Sequence, residues 1–182
     1  MKPFYILIFL LFCTKTFAFD QKRKGTFIDL GLGVNILNSD LTQRSNSIIQ
    51  SFNDAGMSGS IRIGSGLVKK VSIFSDINHR HYLSQSDQGN YFITDIGLGV
   101  QYYFTKYVQT FYVMGSFSTS VVGFSEEKIS LGRTFKSGVG YEFTPRWQAE
   151  LTYQDTASEI NHTLFDHLES KSVQFTIHFL WY

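Results

Sequence analysis

Two prolines, one cysteine and a charged fraction of only 17% are the scarcities of this 182-residue sequence. Few prolines suit a chain built mostly of hydrogen-bonded strands, because the proline ring removes a ladder donor. The one cysteine, Cys13, lies in the N-terminal stretch MKPFYILIFLLFCTKTFAF. That stretch has a basic residue at Lys2, an apolar run over 4–12 and small residues at Thr16 and Ala18, the layout of a signal peptide cleaved after Ala18. Its apolar run falls well short of the roughly 18 residues that a membrane-crossing helix needs. Phe12, where a lipid-modification site needs a small residue, argues against a lipoprotein signal at Cys13. Residues 1–18 are thus read as signal peptide and 19–182 as a single domain of an exported protein. Without Cys13 the mature chain has no disulfide, thiol nucleophile or thiolate metal site. Without Lys2 and Lys15 the basic count falls from 16 to 14 against 15 acidic residues, about −1, which suggests no nucleic-acid partner. No P-loop, dinucleotide fingerprint, zinc-ligand set or coiled coil is visible, so no cofactor or metal is expected.

What is abundant is aromatic: 18 Phe and 10 Tyr, residues that favour strands. Segments of alternating hydrophobicity recur along the chain. GTFIDLGLGVNIL sets Thr26, Ile28, Leu30, Leu32, Val34 and Ile36 against Phe27, Asp29, Gly31, Gly33 and Asn35. GMSGSIRIGSGL follows, then a segment over 71–82, then YFITDIGLGVQYYF. A fifth begins near Tyr107 with both faces mixed, so its phase stays open. The sixth covers about 129–143, the seventh about 147–155, and the eighth is SVQFTIHFLWY. Three connections are short (VKK, TK and TPR), whereas those over 38–55, 83–90, 120–128 and 156–171 are long and polar. Short turns at one end and long loops at the other are the habit of outer-membrane barrels. The expectation is an all-β, eight-stranded antiparallel up-and-down transmembrane barrel.

The less apolar face of these segments decides which medium the other face meets. It carries Gly31, Gly33, Gly64, Gly66, Gly97, Gly99, Gly138 and Gly140, with serines and scattered charges. Small residues belong in the interior of an eight-stranded barrel, which side chains just fill, so the bulky apolar face points outward to lipid. A soluble lipocalin-like barrel would instead show large solvated side chains outside an apolar interior. It remains the less favoured alternative. Aromatics near the short turns, namely Tyr102, Phe104, Tyr107, Phe143, Trp147 and Trp181, are expected to form a girdle at the periplasmic border, grouped there with Tyr103.

The stretch GVGYEFTPRWQAELTYQD over 138–155 resembles the strand, turn and strand of OmpA/OmpX-type small outer-membrane barrels. The last strand resembles that family's C-terminal strand, with Phe175, Ile177, Phe179 and Trp181 alternating toward a terminal aromatic and Tyr182 one place out of phase. The resemblance implies that this strand is read by the barrel-assembly machinery, and that interior charges hold the barrel shut. It also implies location in a Gram-negative outer membrane among phospholipid and lipopolysaccharide.

If the VKK turn pairs Leu67 with Val71, Arg62 faces Asp76 across the strands, both inward. Trp147 beside Phe143 would put Glu150 opposite Gly140, within reach of Lys136 or Arg62. With Asp29, Asp95, Gln101 and Glu142 these residues are expected to form a polar plug, with an ion or proton pathway as the less favoured alternative. NHRHYLSQSD places His79 and His81 near Ser84 and Asp87. His81, Ser84 and Asp87 are the candidates for a lipid A deacylase-like hydrolase, which would activate a hydroxyl beside an acyl chain. Their spacing matches no motif of that class, and Leu83 stands where a deacylase serine would. Arg80 and the histidines are otherwise read as loop-side groups near lipopolysaccharide phosphates. The expected role is structural or surface-interacting, through an extracellular ligand of the long loops, without enzymatic activity and without a wide pore.

Overall fold

The computed structural model describes residues 25–42, 48–83, 90–124, 129–159 and 167–181. Eight strands follow in order: β1 (Gly25–Thr42), β2 (Ile48–Val68), β3 (Val71–Tyr82), β4 (Tyr91–Tyr103), β5 (Thr110–Phe124), β6 (Ile129–Thr144), β7 (Trp147–Glu159) and β8 (His167–Trp181). Each pairs antiparallel with its sequence neighbour, and β8 pairs with β1, so the sheet closes on itself. Closure leaves the ring without a free edge at the level where all eight strands pair, which a lipid environment demands because it offers no hydrogen bonds.

The register fixes the barrel's dimensions. Stepping from partner to partner, Asp29 leads through Arg62, Asp76, Gly97, Ser118, Thr134, Thr156 and Ser170 back to Ser39. The circuit therefore returns ten residues further up β1, which is the barrel's shear. Eight strands with that shear tilt by roughly 40° and enclose a backbone cylinder of about 8 Å radius, given ordinary strand rise and spacing. Side chains from opposite walls meet in such a space, so it is a packed interior and not an aqueous channel.

Side chains alternate cleanly. Leu32, Ile36, Met57 and Leu98 lie more than half exposed on the outer wall, while Asp29, Arg62, Asp76 and Lys136 are buried inside. A soluble protein does not bury its charges and show its leucines to water. The molecule is a membrane barrel whose apolar wall meets hydrocarbon. On β8 that wall runs from Val173 to Trp181, and on β1 from Ile28 to Ile36. Either run rises about 20 Å along the barrel axis, close to the hydrophobic band of outer-membrane barrels.

The ends differ from the segment pattern in several places. β4 stops at Tyr103 and β5 starts at Thr110, so the expected two-residue TK connection is a six-residue turn, with Gln109 at φ 63. That turn holds itself through Thr105, whose amide donates to Thr110 Oγ1 at 3.1 Å. Leu67 and Phe143 are bulged out of the ladder, so Val68 rather than Leu67 meets Val71, and Thr144 rather than Phe143 meets Trp147. One extra residue beside each turn turns the strand end without disturbing the register beyond. At the opposite end β1 and β2 continue well past Ile36 and Gly56. Residues 48–55 of β2 extend beyond its last pairing with β3, at Gly56 and Tyr82. The phase of β5 is settled by its neighbours: Tyr112, Met114, Ser116, Ser118 and Ser120 face in, and Phe111, Val113 and Phe117 face out.

Candidate functional site: the sealed polar lumen and the loop-side rim

The interior is layered from the turn end upward. Next to the turns sits an apolar cluster of Phe27, Phe74, Tyr103, Tyr112 and Met114. Tyr103 thus turns away from the membrane border, where the girdle grouping put it, and its ring lies 5.4 Å from that of Tyr112. Glycines make room for these rings. A Cβ on Gly140 would run into the Tyr112 ring, and one on Gly99 into Phe74.

Above this floor lies an ionic cluster. Arg62 donates to Glu150 from both terminal nitrogens, at 2.8 and 2.5 Å. It also stands 3.7 Å from Asp29 and 3.6 Å from Asp76, its register partner, with its guanidinium carbon 5.0 Å above the Phe74 ring. Lys136 crosses the lumen to Asp76. His178 hydrogen-bonds Asp29 through Nδ1 at 2.9 Å, and Tyr112 donates to Glu150 at 3.1 Å. Glu150 stands opposite Gly140, whose missing side chain leaves the space that the Tyr112 ring fills as its hydroxyl reaches Glu150. Three carboxylates therefore surround one guanidinium and one ammonium. A buried pair with both partners hydrogen-bonded is tolerable, whereas a lone ion at the same depth is very costly.

The next layer is neutral. Gln154 donates to Gln174 at 2.5 Å, and Asn78 reaches both amides at 3.4 Å. A second ion pair follows: Arg80 donates to Asp95 at 2.7 Å and to Ser172 at 3.0 Å. Ser120 and Thr134 donate to the other Asp95 oxygen at 2.8 and 2.9 Å. Leu37, Tyr82, Tyr91, Ile93, Val122 and Leu168 form an apolar cap at the loop end. There Tyr82 and Tyr91 stack at 4.9 Å, and Tyr91 donates to Asp54 at 3.1 Å. Both ionic layers are consequently closed above and below by packed rings and aliphatics.

Asp29, Arg62, Asp76, Lys136 and Glu150 meet in one cluster, while Asp95 belongs to the upper pair and Glu142 is buried near the turn end. Arg80, read from sequence as a group facing lipopolysaccharide, is instead fully buried as the partner of Asp95, because it shares the inward phase of Asp76 and Asn78. His178 was not among the interior charges expected. Its inward phase in QFTIHFLW was visible, but its partner Asp29 lies across the barrel seam, 149 residues away. Tyr102, Phe104, Tyr107, Phe143, Trp147 and Trp181 are all exposed around the turn end, with Trp147 packed edge-on to Phe179 at 5.1 Å. Phe175 lies exposed on the outer wall of β8, where Ile177 and Phe179 are half-buried. Tyr182 lies outside the described residues, as do Ser84 and Asp87. His81 faces outward beside Met57 and Phe92, and His79 bonds Thr94 at 2.9 Å. Among the described residues no group of His, Cys, Asp and Glu could hold a metal.

Comparison with known proteins places this architecture. No protein-family model and no curated protein matches the sequence. The crystal structure of Neisserial surface protein A is similar, with a TM-score of 0.54 and 13% identity over 82% of this chain and 96% of that one. So is Ail, the attachment invasion locus protein of Yersinia pestis, solved in complex with the heparin analogue sucrose octasulfate, with a TM-score of 0.54 and 8% identity over 86% and 99%. At these identities the likeness is one of fold: this chain has the fold of the small outer-membrane barrels of OmpA/OmpX type.

Proposed function

We propose that the protein is an exported resident of a Gram-negative outer membrane whose working surface is its loop-side end, with a structural or surface-interaction role and no catalysis or solute transport. The observation that carries this reading is the raised wall around β1 and β2. Beyond Gly56, β2 keeps only β1 as a partner, while β1 stays paired with β8 as far as Thr42 and His167, so this wall rises above the apolar band over a lumen that is closed at both ends. A rigid scaffold that lifts polar backbone and loops out of a membrane favours contact with something outside it. The packed lumen supports no pathway for solute. His81 sits on the outer wall among Met57 and Phe92, surroundings that give no support to a hydrolase. β8, with Phe175, Ile177 and Phe179 leading to Trp181, supplies the strand that the barrel-assembly machinery would read. Lys171 and Arg133, on the outer wall near the loop side, suit the phosphates of lipopolysaccharide.

Fractionation of expressing cells, followed by gel mobility of boiled and unboiled protein, tests the location. Recovery in outer membranes with a heat shift supports it, and recovery in the soluble periplasm without a shift rejects it. Replacement of 43–53 by a tight turn tests the role. Cell or matrix binding lost while the heat shift persists supports it, and binding unchanged removes this hairpin from consideration.

A further inference from the structure

The turn end carries a charge pattern that the loop-side role does not use. The three short turns contain Lys69, Lys70, Lys106 and Arg146, and no acidic residue lies between Val68 and Val71, Phe104 and Gln109, or Thr144 and Trp147. The loop-side segments 38–55, 83–90, 120–128 and 156–171, which take in the upper ends of β1, β2, β5, β7 and β8, contain eight acidic residues and three basic ones. The barrel is therefore polarised along its axis, basic at the turns and acidic at the loops. Lys69, Lys106 and Arg146 are exposed, and each lies one or two residues from the outer-wall aromatics or aliphatics that mark the membrane border. Lys106 rests its ammonium 5.1 Å from the centre of the Tyr107 ring. Beside Arg146 a pocket of about 380 Å³ opens between the guanidinium-bearing turn, Phe179, Leu180 and Trp181. That turn is fixed, because the amides of Arg146 and Trp147 donate to Thr144 Oγ1 at 3.3 and 3.1 Å, and Leu180 donates to the Arg146 carbonyl at 2.8 Å.

A cation held at the rim of an apolar wall, next to a pocket lined by aromatic and aliphatic side chains, matches an anionic phospholipid: phosphodiester toward the cation, acyl chain along the ring faces. We propose that the turn-end rim of Lys69, Lys70, Lys106 and Arg146 selectively gathers anionic phospholipid from the leaflet around it, with the notch between Arg146, Phe179 and Trp181 as the principal seat. Phosphate oxygens accept the charge-assisted hydrogen bonds that Arg146 leaves available beyond the turn. Selectivity follows from the sign of the rim, since a zwitterionic headgroup brings its own ammonium to a surface already rich in cations. This lipid ring would also hold the barrel in one orientation and depth.

Both tryptophans of the chain, Trp147 and Trp181, lie at this rim, so their fluorescence reports on it directly. The full chain is folded into phosphatidylcholine vesicles containing one-tenth acyl-brominated phosphatidylglycerol, and in parallel into vesicles with one-tenth acyl-brominated phosphatidylcholine. Local enrichment of about fivefold is expected for the anionic lipid, the Boltzmann factor of one basic side chain at an anionic headgroup. It appears as quenching well above that by the brominated zwitterionic lipid, and it shrinks in 1 M salt, where the screening length is only about 3 Å. The excess disappears in K69Q/K70Q/K106Q/R146Q. Equal quenching by the two lipids in the native chain overturns the proposal, as does an excess that survives in the quadruple variant. Co-sedimentation with purified peptidoglycan, lost in that variant while the two lipids quench equally, assigns the rim to the wall polymer and overturns it too. The proposal rests on the outer wall meeting lipid, and the heat-mobility shift of each folded sample checks that premise separately.

Discussion

Arg62→Met is the most informative perturbation of the lumen. The native guanidinium makes two hydrogen bonds to Glu150 and stands within 3.7 Å of Asp29 and 3.6 Å of Asp76. Methionine keeps much of the side chain's length and can still lie over Phe74, so the change removes charge and donors more than volume. Three carboxylates then face Lys136 and His178 without their central cation. At these spacings one unit-charge pair is worth about 4 kcal/mol with an effective dielectric of 20. Relief from burying the guanidinium offsets part of that, and breaking a buried pair from one side typically costs about 3–5 kcal/mol. The expected loss is therefore about 3–5 kcal/mol, mostly the penalty of leaving Glu150 uncompensated. The assay is urea unfolding in phospholipid vesicles, followed by the gel-mobility difference between folded and unfolded chain. Glu150→Gln added to Arg62→Met should recover about 2 kcal/mol, because the orphaned charge is gone, and the double-mutant cycle isolates the pair. A single-variant loss below about 1 kcal/mol, the range of an exposed pair, would refute the reasoning, since it would mean that water reaches the cluster and screens it.

Gly97→Ala should destabilise by about 1–3 kcal/mol, since its Cβ would meet the Phe117 carbonyl and Ser118, whereas Gly59→Ala, with only distant neighbours on the outer wall, should change stability by less than about 1 kcal/mol in the same unfolding assay. Tyr91→Ala removes the stack on Tyr82 and the bond to Asp54, and should open the loop-end cap at a loss of about 3 kcal/mol. Amide exchange should accelerate at the loop ends of β3 and β4 and stay unchanged around Arg62; uniform acceleration would contradict the layered interior. His81→Ala should leave both stability and the lipid A acylation of expressing cells unchanged, read by mass spectrometry, and a gain or loss of acyl chains would favour the hydrolase.

Period-two alternation was sufficient to assign an inside and an outside to seven of the eight strands, because one residue's slip would reverse every side chain along a strand. The glycines at 31, 33, 97, 99, 138 and 140 supplied the sign of that assignment, since only the crowded side needs them. The alternation of short and long connections set the up-and-down order. Those features are local, and each can be read from a few neighbouring residues. β5 resisted because TFYVMGSFSTSVV carries apolar residues on both faces, and only pairing with β4 and β6 tells Met114 from Val113.

Closure decided the remainder. His178 meets Asp29 only because β8 joins β1, and Arg62 meets Glu150 across the lumen from strands that are not neighbours. The fate of Arg80 was also tertiary: the same sequence on a shorter strand would hold a solvated loop cation, but continued pairing of β3 with β4 as far as Tyr82 and Tyr91 carries it inside to Asp95. The sequence by itself determined the strand count, the facing of every strand but β5 and the medium around the barrel. Which charges neutralise one another, and that rings seal them at both ends, was decided by the shear, because the stagger between strands sets which distant side chains share a level inside so narrow a cylinder.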